Sequence, residues 1–231
     1  MSNLKKLEKI IEVDFQNKNL LQQAMVHRSY INEHSDFITG HNERLEFLGD
    51  AVLEIVVTEY LYLNFPDKPE GDLTNWRASL VNSKMLYQIA QKLNFDNYLL
   101  LSKGESRDKN SKARQYILAN SVEAVIGAIY LDQGIKSAQK FIFKNVIVNL
   151  DDIIKNKTYL DPKSRFQEVA QEMVGITPSY RVLREEGPDH AKKFTVGLFL
   201  NEDLVSSGEG LSKQEAQSDA AEKGLRAKNW L

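Results

Sequence analysis

Residues 41–57 read HNERLEFLGDAVLEIVV, from His41 to Val57, and their spacing decides the fold class of the N-terminal part of the chain. Leu45, Leu48, Val52, Leu53, Val56 and Val57 recur at helical intervals, as in a helix built for a protein core. On that helix Glu43, Glu46 and Asp50 fall at i, i+3 and i+7 and share one face. Three like charges within two turns repel one another, and an ordinary solvated face would interleave lysine or arginine. The pattern calls for something positive in front of the carboxylates.

Outward from this stretch, nearly everything between Ser2 and Leu150 reads as helix. Leu4, Leu7, Ile10 and Ile11 give an amphipathic start, and NLLQQAMVHRSYIN (residues 19–32) a second helix. DKPEG (67–71) is a turn-rich break, DLTNWRASLVNSKMLYQIAQKL one or two helices, and SKGESRDKNSKARQ (102–115) a polar, solvated loop. Between Tyr116 and Leu131 the only charge is Glu123, which predicts a buried helix. His27 and Arg28 read as packing or helix-end residues, and Trp76 and Tyr87 as core.

The composition changes near Asp151. Residues 151–160 read as a linker, and Pro162 opens a helix that ends at Gly175. PSYRVLREEG, KKFTVGLFLN and EDLVSSGEG have the pattern of three short antiparallel strands. A last helix follows, with Ser212 as N-cap and Ala216, Ala220 and Ala221 on its packing side. The expected fold is a mainly α domain over 1–150, a linker over 151–160, and a small α+β domain of α-β-β-β-α order over 161–231.

With 42% hydrophobic and 27% charged residues, the chain reads as globular. No apolar run spans a bilayer and the N-terminus lacks a signal-peptide core, so no membrane partner is expected. Zero cysteines exclude disulfides and thiolate metal sites and suit a cytoplasmic setting. The four histidines, none in HExxH or ExxH spacing, leave zinc-protease and di-iron readings without their ligands. A net charge of −2 means that any polyanion site is a local patch.

Glu123 poses the opening question again, because a lone ionised carboxylate in a buried helix costs several kcal/mol unless paired or metal-bound. Asn120 lies three residues earlier on the same face. Side by side, the two helices would join Glu46, Asp50, Asn120 and Glu123 in an all-oxygen cluster, with Glu43 and Glu70 at its margin. Hard oxygen ligands without His or Cys select Mg²⁺ or Mn²⁺, which suits phosphodiester hydrolysis. The structural alternative is that the carboxylates pair with Arg44 and Arg77.

At this point the residues resemble a family. NERLEFLGDAVLE (42–54), HRSY (27–30), EGDLTNWRASLV (70–81) and ILANSVEAVIGAIYLD (117–132) are similar to bacterial ribonuclease III. DPKSRFQE (161–168), GPDHAKKFTV (187–196) and SKQEAQSDAA (212–221) resemble that family's double-stranded-RNA-binding domain. The resemblance covers almost the whole chain, in order. It implies a homodimeric endonuclease that cuts double-stranded RNA with Mg²⁺, Mn²⁺ substituting, and without a nucleotide cofactor. Its products would carry 5′-phosphates, 3′-hydroxyls and short 3′ overhangs, as in ribosomal precursor maturation.

Residue by residue, the resemblance implies that Glu46, Asp50 and Glu123 hold metal and the attacking water, with Asp50 and Glu123 essential. Asn120 joins as a metal ligand, Glu43 and Glu70 assist, and Phe47 plugs into the partner subunit. Gln167 and Glu168 would touch one minor groove of the RNA, His190 the next, and Lys213 the phosphates between them. Two positions depart from the family pattern: Asn120 stands where it usually has Asp, and Gln214 where it commonly has a basic residue. The Asn120 departure keeps a rival open, a duplex-RNA-binding protein with attenuated or absent cleavage.

Overall fold

The structure, a computed structural model, describes residues 2–107, 111–157, 159, 161–188 and 192–230. Its contacts divide the chain into two compact units, Met1–Ile153 and Ile154–Leu231. In the first unit the described elements are helical: α1 (Ser2–Ile11), α2 (Lys18–Ala24), α3 (Arg28–Glu33), α4 (Glu43–Asn64), α5 (Glu70–Val81), α6 (Ser83–Lys92), α7 (Lys103–Arg107), α8 (Lys112–Gln133), α9 (Ile135–Asn145) and α10 (Leu150–Lys155), with short 3-10 turns between some of them. α4 and α8 are 22 residues each, roughly 33 Å long, and lie against one another as the centre of the unit. The near absence of charge in α8 has the expected result, since Ile117–Ala119, Ser121, Val122 and Ala124–Ile129 are all buried. α2, α6 and α9 pack on α8, and α5 on α4.

Three boundaries differ from the sequence reading, each for a local reason. Residues 19–32 form two helices rather than one. Val26 leaves the helix to pair in parallel with Leu100, and the His27 side chain then caps α3 by accepting from the Ser29 N–H at 3.2 Å. The polar segment 102–115 holds α7 and the start of α8. Ser102 Oγ accepts from Glu105 N–H and Ser111 Oγ from Arg114 N–H, so each serine starts a helix. α10 runs into the stretch read as a linker because Leu150 and Ile153, one turn apart, are both buried.

The second unit has the expected α-β-β-β-α order. Asp161 caps α11 (Pro162–Val174) by accepting from the N–H groups of Lys163 and Ser164, and Gly175 ends it in the left-handed conformation at φ 68°. β1 (Ser179–Glu186), β2 (Lys193–Leu200) and β3 (Asp203–Gly210) form one antiparallel sheet in that order, with Tyr180 opposite Leu198 and Leu198 opposite Ser206. Ser212 caps α12 (Lys213–Ala227), whose Ala216, Ala220 and Ala221 are fully buried. Phe166, Ala170, Leu198, Leu200, Ala220, Ala221 and Leu225 make this unit's core. Among the described residues, no helix is long and apolar enough to cross a membrane.

Candidate active site and nucleic-acid interface

The carboxylates meet because α4 and α8 cross almost backbone to backbone. A Cβ on Gly49 of α4 would overlap the Glu123 carbonyl, and one on Gly127 of α8 would overlap the Leu45 carbonyl. With two hydrogens at the crossing, the polar strips of the two helices run side by side at its edge. Asn120 Nδ2 donates to Glu46 Oε1 at 2.8 Å, and Asp50 and Glu46 lie close enough to raise the pKa of Glu123. The structure thus joins Glu46, Asp50, Asn120 and Glu123, residues 74 apart in the chain at the Glu46–Asn120 bond.

The electrostatics are those of an uncompensated anionic cluster. Burial first, then the charges of Asp50 and Glu46, push the Glu123 carboxyl up to about 8. Burial also raises Glu46, helped by Glu43 and Asp50 and opposed by the Asn120 hydrogen bond. Pairing with arginine does not account for the cluster. Arg77 binds Glu54 at 3.1 Å and Thr58 Oγ1 at 3.1 Å, and Glu43 sits 3.8 Å from Arg28 and 3.7 Å from His41. Among the described residues, none forms an ion pair with Glu46, Asp50 or Glu123.

This donor set fits a hard divalent cation in charge and chemistry. Among the described residues no three His, Cys, Asp or Glu side chains close into a metal-holding group on their own. Mg²⁺ seldom needs such a cage, because it keeps waters and takes substrate phosphate oxygens beside one or two carboxylates. Asn120 presents its NH₂ end to Glu46, and a half-turn of the amide would offer its oxygen instead.

The other expected residues lie elsewhere. Glu43 starts α4 on the carboxylate face and is exposed. Glu70 opens α5, accepts from Thr74 Oγ1 at 2.8 Å, and lines an apolar groove of about 500 Å³ with Tyr62, Leu63, Phe65, Pro66, Lys68 and Leu73. That groove is at the far end of α4, roughly 25 Å along the helix from Glu46, so within one chain Glu70 does not join the cluster. Phe47 is 81% exposed, and Ile55 and Tyr62 on the same side of α4 are also exposed. What the sequence reading missed are Gly49 and Gly127, whose glycines sit inside predicted helices and could have signalled a close crossing.

In the second unit Gln167 and Glu168 are exposed on α11. Lys213 opens α12, with its ammonium 5.6 Å above the centre of the Phe194 ring. His190 lies outside the described residues.

The sequence matches the family described as Ribonuclease-III-like over residues 17–150 and the double-stranded RNA binding motif over residues 162–228. It is 44% identical to Ribonuclease 3 of Enterococcus faecalis over 213 residues, covering 92% of each chain. It is 45% identical to Ribonuclease 3 of Carboxydothermus hydrogenoformans over 223 residues, covering 96% of this chain and 94% of that one. A solved nuclease domain of ribonuclease III from Campylobacter jejuni, described for flexibility in a region involved in dimer formation, superposes with a TM-score of 0.57 at 40% identity. It covers 63% of this chain and 97% of that domain.

Proposed function

The chain belongs to the ribonuclease III family, and on that premise we propose how its residues cut RNA. It is an endoribonuclease of double-stranded RNA. Glu46, Asp50, Glu123 and, after an amide half-turn, Asn120 would hold Mg²⁺, for which Mn²⁺ would substitute. When bound, the ion would lower the pKa of a water and offset charge on the leaving oxygen. The observation that carries this reading is the close crossing of α4 and α8, which brings Glu46, Asp50, Asn120 and Glu123 together with no ion-pair partner for the three carboxylates among the described residues. Asp50 and Glu123 are essential in this reading: both accept a proton or hydrogen bond from the attacking water, and Glu43 assists from the rim. Attack of water on phosphorus with breakage of the P–O3′ bond, the leaving 3′ oxygen taking up a proton, would leave 5′-phosphate and 3′-hydroxyl ends.

We further propose a homodimer, with one site per strand and cuts offset across the minor groove to leave short 3′ overhangs. The exposed Phe47 of each protomer enters the partner's apolar groove beside Tyr62 and Leu73. Such an exchange is isologous, the same patch serving both subunits. It would carry Glu70, on the rim of that groove, next to the partner subunit's Phe47 and therefore beside its neighbour in sequence, the partner's Glu46. Glu70 could then assist from across the interface, although it is remote within one chain.

Duplex RNA is recognised by shape and phosphate. Gln167 and Glu168 meet one minor groove, His190 the next, and Lys213 the phosphates between. The setting is the cytoplasm, with structured precursors such as ribosomal RNA as substrates.

The test is cleavage of a long perfect RNA duplex with and without Mg²⁺, beside Asp50→Asn. Metal-dependent cleavage that the variant loses supports the reading. RNA that is bound but left intact in ample Mg²⁺ or Mn²⁺ would instead establish the attenuated binder. The bond from Asn120 to Glu46 favours that outcome, because the amide occupies a Glu46 oxygen that a cation would otherwise take.

A further inference from the structure

The face of the second unit proposed for RNA carries a carboxylate where phosphates are expected. Glu185 stands near the end of β1, directly across the ladder from Phe194. Its oxygens face two lysines from different elements: Oε1 is 3.2 Å from Lys213 Nζ at the start of α12, and Oε2 is 3.7 Å from Lys192 Nζ just before β2. The Lys213 ammonium also lies over the Phe194 ring, which aims it at Glu185. On the alternate positions of the same strands, Lys193 pairs with Glu209 and Arg184 with Glu186.

We propose that Glu185 is a positioning residue that sets the affinity for duplex RNA, its carboxylate occupying the place on Lys213 and Lys192 that an RNA phosphate takes on binding. The inference rests on the reading of Lys213 as a phosphate contact. A lysine that meets RNA from bulk solvent releases counterions, and this release makes binding steeply salt-dependent. A lysine already paired with a fixed carboxylate releases fewer, and the displaced carboxylate stays nearby as a repulsive charge. Both effects weaken binding and flatten its salt dependence. The polar Gln214 beside Lys213 acts in the same direction.

The experiment measures binding of the full chain to a fluorescent perfect RNA duplex by anisotropy, with chelator to prevent cleavage, across a series of KCl concentrations. Glu185→Gln is expected to bind about two- to fivefold more tightly, the scale of an exposed ion pair. Its slope of log affinity against log salt should steepen by up to about one. Glu185→Asp, which keeps the charge, should return both quantities toward the parent. Glu202→Gln removes an equal charge from the Arg181 pair and should change neither. If Glu202→Gln tightens binding as much as Glu185→Gln, net charge alone is at work and the proposal is overturned. If Lys213→Ala weakens binding while Glu185→Gln leaves affinity and slope unchanged, the proposal fails and the phosphate reading stands. If Lys213→Ala has no effect, that reading fails and the proposal with it.

Discussion

Glu123 carries its proton well above the ordinary glutamate range because it is half-buried among carboxylates. Its value is raised from 4.5 to about 8, so between these limits the native state keeps a proton that the unfolded chain has released. Its contribution to stability is full below pH 4.5 and is lost as pH rises through about 8. Thermal unfolding in chelator should therefore show a melting temperature that falls between pH 5 and 8, and Asp50→Asn should lessen the fall. A flat profile for the parent would contradict the burial argument. Metal binding needs the deprotonated carboxylate, so added Mg²⁺ should restore most stability at the alkaline end. Asn120 offers the complementary experiment. Asn120→Asp replaces a donor to Glu46 with another negative charge and should lower the Mg²⁺ needed for half-maximal cleavage by about tenfold. The same change should lower the melting temperature in chelator. An unchanged or raised Mg²⁺ requirement would remove Asn120 from the ligand set.

At the scale of elements, the crossing of α4 and α8 is the feature on which the site depends. Gly49→Ala forces these helices apart, at a cost of about 1–3 kcal/mol in chemical denaturation. Cleavage should fall more steeply than stability, because the separation pulls Glu123 from Glu46 and Asp50. Wild-type activity in a stably folded Gly49→Ala protein would show that the close approach is dispensable. Much of this architecture is legible in the sequence. The apolar intervals of Leu45–Val57 and the single charge in Tyr116–Leu131 each record a burial pattern that the fold honours. The faces of Glu46, Asp50, Asn120 and Glu123 are legible too, because helical periodicity fixes angle as well as spacing. The break at Val26 is not, since it answers to a partner at Leu100, far along the chain. Nor is the separation of Glu70 from the cluster, because periodicity says nothing of distance between elements. The helix α7 could have been found, for Ser102 and Glu105 spell a capping box that the lysine-rich composition obscured.

At the scale of the molecule, the proposed reading gives each unit a different part of the substrate, one the bond to be broken and one the shape of the duplex. Dimerisation through Phe47 would double the first without altering the second. Phe47→Ala should weaken self-association by about 30-fold, as expected when an aromatic anchor is truncated, measured by sedimentation at several concentrations. An undiminished dimer would place the interface elsewhere. The crossing glycines carry a last consequence, for which changes of length the chain can absorb. One residue inserted in α8 between Asn120 and Gly127 would turn Asn120 by about 100° relative to its glycine contact, taking it out of reach of Glu46. The same holds for α4 between Glu46 and Gly49. Residues added between helices, as at 34–40, should therefore leave the site intact, while inside these two rods even a single added residue spoils the alignment. The site is held by counting as much as by chemistry.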